Sequence, residues 1–572
     1  MSTINPTSTT DRRRSTGASA AVLVMALLLG VATLLLVRPR YALVDDYVQQ
    51  LYVSGRLMGC GVCRLMPYTL SLISFPESML YQAFPMVPWY VLVLLALIVV
   101  SFWVCGTSVL RSRLSNRMAA CACLVLAALE ACSAMYLTYT VVAFLATSAG
   151  LALLVVRASF GREGLRGSDV LGLALVTLGF ALRPESGLGS FVVFSPFAAY
   201  VLVRNRHATA LLRGLAAIAL VAAVFLAGRA AYDATPGWER YNDYLDNGRS
   251  ALDYPELTAD ELREIDPSIT DASASVLNKW IFIQSDPFSV EFFERLGSAR
   301  AHVSVEYLLS ALKAKTTWLA LGFVVLIGMA GMALMADVRG SRSTRACLLA
   351  ICGMALLSCL VFALRARVRL HVVYPLVVSA LMAVLACCHA PTTRQGSHFA
   401  PEKQRGQDMR PSMRTAFLAL VAFACVAATV GFWRFAVQPQ SIAGEGELSQ
   451  SYDAYLRQAD GVTIQGSAQT AFIAHDALSF EKGSYPENAL VPGGWMVYTG
   501  PWQSWLDAQG LTGDDTLEQL TQHNDMALVT SEDTAETIRA FVEERLGQPV
   551  EKHSERTLGS SSTLHVWRYS LV

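Results

Sequence analysis

Apolar residues gather along this chain into long, nearly unbroken runs separated by short polar stretches, a pattern without the alternation of a half-buried sheet. A helix crossing the hydrocarbon core of a bilayer needs about 20 mostly apolar residues. Runs of that kind lie near 20–37, 87–110, 118–135, 137–156, 168–183, 187–203, 210–230, 316–336, 346–364, 371–388 and 415–437, which predicts about eleven spans. One long run is divided to give 118–135 and 137–156, and the two spans within 168–203 are short. The first run is longer than a signal-peptide core, and Val37-Arg38-Pro39-Arg40 is a poor cleavage site, so it reads as a retained span.

Basic residues orient these spans, because Lys and Arg concentrate in cytoplasmic loops. Arg12, Arg13 and Arg14 precede the first span. Alternate loops carry Arg111, Arg113 and Arg117; Arg157, Arg162 and Arg166; Arg204, Arg206 and Arg213; Arg339, Arg342 and Arg345; and Arg394 through Arg414. The N-terminus is therefore expected inside and, with an odd number of spans, the C-terminus outside. The expected organisation is a cytoplasmic tail over 1–19, a membrane domain over 20–437 with outer loops at 38–86 and 231–315, and an extracytoplasmic region over 438–572.

That last region changes character. Thr470–Ala474, Trp495–Tyr498, Met526–Val529 and Leu564–Leu571 read as strands. Thr530-Ser531-Glu532-Asp533 opens a helix closed by Gly547, and a second helix follows Pro501. A small α/β domain with a mixed sheet is predicted. The fold class is thus mainly α, a polytopic transmembrane bundle with a small extracytoplasmic α/β domain.

Composition agrees. Hydrophobic residues make up 53% of 572 and charged residues 16%, below the roughly 25% of soluble chains. With 45 basic against 45 acidic residues no global positive field exists, which excludes a nucleic-acid partner and leaves the lipid bilayer as the first one. Walker A, H-E-x-x-H and G-x-S-x-G motifs are absent from the sequence. Ten of the twelve cysteines fall inside apolar runs; Cys60 and Cys63, in Cys60-Gly-Val-Cys63, lie in the first outer loop and stand as either a local disulfide or two thiols.

Three clusters could carry chemistry. Asp45 and Asp46 follow the first span, where a carboxylate can act as general base, bind a divalent cation or orient a sugar hydroxyl, or simply start a surface helix. Several arginines break the orientation rule: Arg38, Arg40, Arg183, and the group Arg365, Arg367 and Arg369 beside His371. Guanidinium forks match phosphate oxygens, whereas snorkelling to headgroups is the plainer role. Trp238, Tyr241, Asn242 and Arg249 form an aromatic and amide-rich stretch suited to stacking on a sugar, or equally to an amphipathic outer helix.

The first-loop Asp45-Asp46, the stretch Tyr81-Gln-Ala-Phe-Pro-Met-Val-Pro-Trp89-Tyr90 leading into the second span, and the C-terminal outer domain together resemble the GT-C class of membrane glycosyltransferases. The layout is also similar to a set of uncharacterised bacterial membrane proteins with an Asp-Asp loop and a Gly-Gly-Trp tail. The GT-C resemblance implies a polyprenyl-phosphate sugar donor, an acidic catalytic residue in the first outer loop, and a glycan, lipid or protein acceptor in the envelope. On that reading Asp45 or Asp46 is the base, Arg183, Arg365, Arg367, Arg369 and His371 hold donor phosphate, and Trp238, Tyr241, Asn242 and Arg249 hold acceptor. No cofactor is required, and a divalent metal is compatible. The alternative is a transporter or flippase for lipid-linked glycans, or an assembly component, for which the carboxyl of Glu130 deep in the third span is the one pointer.

Overall fold

Helices stand at all eleven apolar runs in the computed structural model. It describes residues 9–37, 40–112, 114–160, 166–205, 208–252, 256–299, 320, 322–335, 342–364, 368–389, 411–432, 434, 443–466, 477–478, 486–490, 494–559 and 564–572. The bundle consists of α1 (Thr9–Val37), α4 (Trp89–Leu110), α5 (Asn116–Met135), α6 (Tyr139–Ser159), α7 (Gly167–Leu182), α8 (Pro184–Asn205), α9 (Ala208–Asp233), α14 (Gly322–Met335), α15 (Arg342–Leu364), α16 (Leu370–His389) and α17 (Pro411–Phe432). Among the described residues nine of these are long and apolar enough to cross a membrane; α7 and α14 are shorter. The chain is built as a multi-pass membrane protein.

Helix α6 is the axis of the bundle, with 94% of its central window buried, while α1, α9 and α17 are mostly exposed at the rim. Small residues let its neighbours approach. A Cβ on Gly150 would lie 2.5 Å from the Gly172 carbonyl, and one on Gly179 would lie 2.6 Å from the Ala143 carbonyl, so α6 and α7 touch backbone to backbone. Ser148 donates to Ser379 on α16 at 2.8 Å and to Ser190 on α8 at 3.2 Å. At one end of the axis Asp169, fully buried, takes Arg157 Nε at 2.5 Å and Arg213 Nε at 3.2 Å. That end carries the arginine-rich connections and is called the basic face here; the other is the loop face.

The loop face is covered by α2 (Val44–Ser54), α3 (Ser71–Ala83), α10 (Tyr241–Leu252), α11 (Ala259–Ile265), α12 (Asp271–Asn278) and α13 (Val290–Ala299). A two-residue parallel pairing of β1 (Arg40–Tyr41) with β2 (Tyr136–Leu137) fastens the exit of α1 to the α5–α6 junction.

The tail begins with α18 (Ala443–Gln458) and forms a five-stranded mixed sheet from β3 (Thr463–Gln465), β4 (Ala489–Leu490), β5 (Ala527–Ser531), β6 (Val550–Leu558) and β7 (Leu564–Leu571), in the order β4-β3-β5-β7-β6. Its helices are α19 (Gly500–Gln509), capped by Thr499, and α20 (Glu532–Leu546), capped by Ser531 and ended by left-handed Gly547. The strand expected at 495–498 is instead a 3-10 turn at Gly494–Met496. The segment 470–474 lies outside the described residues. The tail shares its core with the loop helices: Phe282 presses on Gly494, Tyr244 donates to the Gly494 carbonyl at 2.7 Å, and Phe288 stacks on Phe541 at 6.4 Å.

Candidate functional site

The site is built where α2 meets the start of α6. Helix α2 begins after Leu43, which offers no side-chain cap, and its first turn carries Asp45 and Asp46, where negative charge is favoured by the exposed N–H groups. The capping role considered for the pair from sequence is therefore not the one observed. Asp46 is fully buried and turns away from its own helix to the first N–H groups of another. Its Oδ1 accepts the Tyr139 backbone N–H at 2.7 Å and the Tyr90 hydroxyl at 3.0 Å. The start of a helix leaves such N–H groups without intrahelical partners, so Asp46 satisfies a donor that α6 itself cannot. Burial pushes its carboxyl up to about 8, opposed by the bonds from Tyr139, Thr138 and Tyr90. Asp45 is half-buried beside it and acts electrostatically on the Tyr139 phenol, as Asp46 does.

Arg183 ends α7 in extended backbone and reaches the same tyrosine. Its guanidinium donates to the Tyr139 hydroxyl, lies over the Tyr139 and Tyr68 rings at 5.1 and 5.2 Å, and pairs with Glu185 at 3.6 Å. Tyr68 holds a left-handed φ of 66°, uncommon for an aromatic residue. The turn is fixed by Gln49 donating to the Pro67 carbonyl at 3.0 Å, Thr69 donating to the Leu182 carbonyl at 3.0 Å, and Tyr232 donating to the Met66 and Thr69 carbonyls. Tyr139 thus joins both predicted groups: its amide binds Asp46 and its phenol binds Arg183.

On the other side, Arg369 is exposed and acts, together with Asp46, on the buried Tyr136 phenol. His371 is half-buried in the first turn of α16. Arg38, Arg365 and Arg367 lie outside the described residues, as does the side chain of Arg40. Below Tyr136, whose ring meets Phe432 edge-on at 5.4 Å, a cavity of about 80 Å³ lies among the loop-face halves of α5, α14, α16 and α17. Its lining is apolar apart from Thr429 and Tyr374, and includes Leu129, Val325, Leu381 and Phe432.

The predicted acceptor residues are placed elsewhere. Trp238 is buried against Tyr52, Tyr232 and Tyr241, with the nearest centroid at 5.0 Å, so protein covers the faces that would stack on a sugar. Tyr241 is buried in the same cluster, and Asn242 donates to the Arg229 carbonyl and to Asp233 inside the turn before α10. The side chain of Arg249 lies outside the described residues. The Cys60 and Cys63 sulfurs are not bonded to each other in this structure. Cys60 donates to the Met58 and Pro501 carbonyls and Cys63 to the Gly61 carbonyl, each at 3.6 Å. Burial raises them to about 11 and about 12, which opposes thiolate chemistry.

A second buried carboxyl adjoins the site. Glu77 on α3 is 2% exposed, among the described residues neither oxygen has a hydrogen-bond partner, and burial pushes it up to about 8. Its charge is felt by the phenols of Tyr41, Tyr81 and Tyr90, Tyr81 accepting the Tyr90 N–H at 3.1 Å and Tyr41 donating to Gln50 at 2.6 Å. Sequence reasoning passed over Glu77, Tyr68 and Tyr139, which sit in no motif, and named Tyr90 only as the end of the stretch leading into the second span. Among the described residues no group of three or more His, Cys, Asp or Glu is arranged to hold a metal ion.

No family model and no curated protein matches the chain. Among solved structures, the crystal structure of ArnT from Cupriavidus metallidurans in the apo state aligns over 97% of this chain and 98% of that one, with 12% identity and a TM-score of 0.40.

Proposed function

We propose that this chain is a membrane glycosyltransferase that moves a sugar from a polyprenyl-phosphate donor to a hydroxyl of an envelope acceptor at the loop face, oriented outward, with the N-terminus inside and eleven crossings. The observation that carries the reading is the Asp45–Asp46 pair joined to Arg183 through Tyr139 at the mouth of the bundle. A carboxylate and a guanidinium held a residue apart are what a hydroxyl attack on a phosphate-bearing carbon requires. Asp45, the more accessible carboxylate, takes the acceptor hydroxyl proton. The freed oxygen bonds to the anomeric carbon, the bond from that carbon to the phosphate oxygen breaks, and its electron pair leaves on the lipid phosphate. Arg183 and Arg369, with Arg365 and Arg367 of the same loop, meet the charge that develops there. Asp46 fixes α2 on α6 and so holds Asp45 in place. The apolar cavity beneath Arg369 offers surface to the first units of the lipid chain. Membranes containing the protein should consume a labelled polyprenyl-phosphate hexose. Consumption by Asp45→Asn membranes equal to wild type would overturn the assignment.

A second reading, transport of a lipid-linked glycan, is favoured by Glu130, which is 3% exposed on α5 and whose Oε1 has no hydrogen-bond partner among the described residues. It requires that Glu130→Gln abolish translocation into proteoliposomes while Asp45→Asn does not.

A further inference from the structure

Helix α3 is amphipathic in the reverse sense for a surface helix of a soluble protein. Toward the protein it turns Ser74, Glu77, Ser78 and Tyr81, with Ile73 at the edge of that side, all buried. Outward it turns Leu72, Phe75 and Met79, at 41, 44 and 56% exposure, with Pro76 between them. At 100° per residue these four fall within one arc, directly opposite the polar four. Beyond the helix end the exposed surface continues through Phe84 and Met86. A helix that presents its polar side to protein and its apolar side to water gains nothing from folding that way.

We propose that α3 lies in the interfacial plane of the bilayer at the loop face, its Leu72–Phe75–Met79 face seated in lipid. Two observations select lipid as the occupant. First, the face is continuous with a span: α4 begins at Trp89, whose indole donates to the Phe84 carbonyl at 3.1 Å and whose ring packs on Phe84 at 6.2 Å. Exposed Leu92 carries the apolar surface on down α4. Tryptophan at the start of a span marks the headgroup level, so α3 is held at that level by covalent connection. Second, cations border the apolar face as they border interfacial helices generally. Arg64 is exposed with its guanidinium over the Phe75 ring at 5.5 Å, and Arg56 donates to the Pro85 carbonyl at 3.3 Å.

This inference does not depend on the transfer reaction. The unaltered full chain is reconstituted in vesicles of phosphatidylcholine and phosphatidylglycerol with a trace of phosphatidylcholine bearing a diazirine on its acyl chain. After photolysis, fragment ions should place carbene adducts on Leu72, Phe75 and Met79 at the frequency of Leu92, and about tenfold above Asp243 and Asp246 on α10. Labelling of Leu92 without α3, together with oxidation of Met79 by hydroxyl radicals generated in the aqueous phase, would overturn the proposal. Protection of α3 from both reagents, with chain-to-chain cross-links through a Met79→Cys variant, would replace lipid by a second copy and overturn it equally.

Discussion

Two adjacent aspartates are expected to fail in different ways when changed. Asp46 is fully buried and is the acceptor for the Tyr139 backbone N–H at 2.7 Å. Replacing it with Ala leaves that N–H buried without a partner, while Tyr90 retains Gln49 as an acceptor at 2.9 Å. One orphaned buried donor costs about 1–3 kcal/mol. Asp46→Asn keeps an oxygen in the same place and should lose much less. The expected order of thermal midpoints, read by intrinsic fluorescence of protein in detergent, is wild type, then Asp46→Asn slightly lower, then Asp46→Ala clearly lowest. Turnover should follow a different order. Asp45→Asn, with its midpoint near wild type, should lose about 10²–10⁴-fold as the loss of a general base. Asp46→Asn should keep most of its activity. A folded Asp46→Asn protein as inactive as Asp45→Asn would refute the division of labour and make the buried residue the base. An Asp46→Ala protein melting with wild type would refute the anchoring role.

Removing the anion at the basic face should be costlier: Asp169→Ala leaves Arg157 and Arg213 buried without their shared carboxylate, a loss of about 3–5 kcal/mol visible as a lowered midpoint. Gly179→Val should also destabilise, by about 1–3 kcal/mol or more, because the new Cβ meets backbone atoms of Ala143 and Thr147 that cannot rotate away; an unchanged melt would show that α6 and α7 are not in register here. Glu77 rises from 4.5 to about 8 on folding, so the folded state holds the proton more tightly and its contribution, complete below pH 4.5, is lost as pH rises toward 8. Chemical unfolding across that window should show a shallower decline for Glu77→Gln than for wild type, with a residue of slope from Asp46, which shifts in the same direction.

The runs of apolar residues made the bundle legible, because the bilayer admits few alternatives to a helix. Asp45, Asp46 and Arg183 were legible as charges in costly places. What joins them was not: Tyr139 lies 93 residues from Asp46 and 44 from Arg183, and nothing local marks a tyrosine as a bridge. Near Trp238 the rings of Tyr232, Trp238 and Tyr241 pack on one another, a use of aromatic side chains that the sequence pattern does not distinguish from stacking on a sugar. Strand β6, Val-Glu-Lys-His-Ser-Glu-Arg-Thr-Leu, escaped notice because it is an edge strand with little buried surface and so carries almost no apolar pattern. Trp495–Tyr498 read as a strand because Met496 and Val497 are apolar, but both are buried at and after a 3-10 turn whose Gly494 lies against Phe282.

The pairing of Arg157 with Asp169 bears on how the protein is made. Helix α7 has 16 residues, short of the roughly 20 that cross a bilayer unaided, and carries a carboxylate in its first turn. Helix α6 precedes it and brings the matching cation in its last turn. Entering lipid one at a time, each would carry an uncompensated charge. Entering as a hairpin, the two neutralise one another and pack glycine to backbone before any other span arrives. Biogenesis therefore favours release of α6 and α7 from the insertion machinery as a pair, with the helices that later surround α6 displacing lipid from a core already formed.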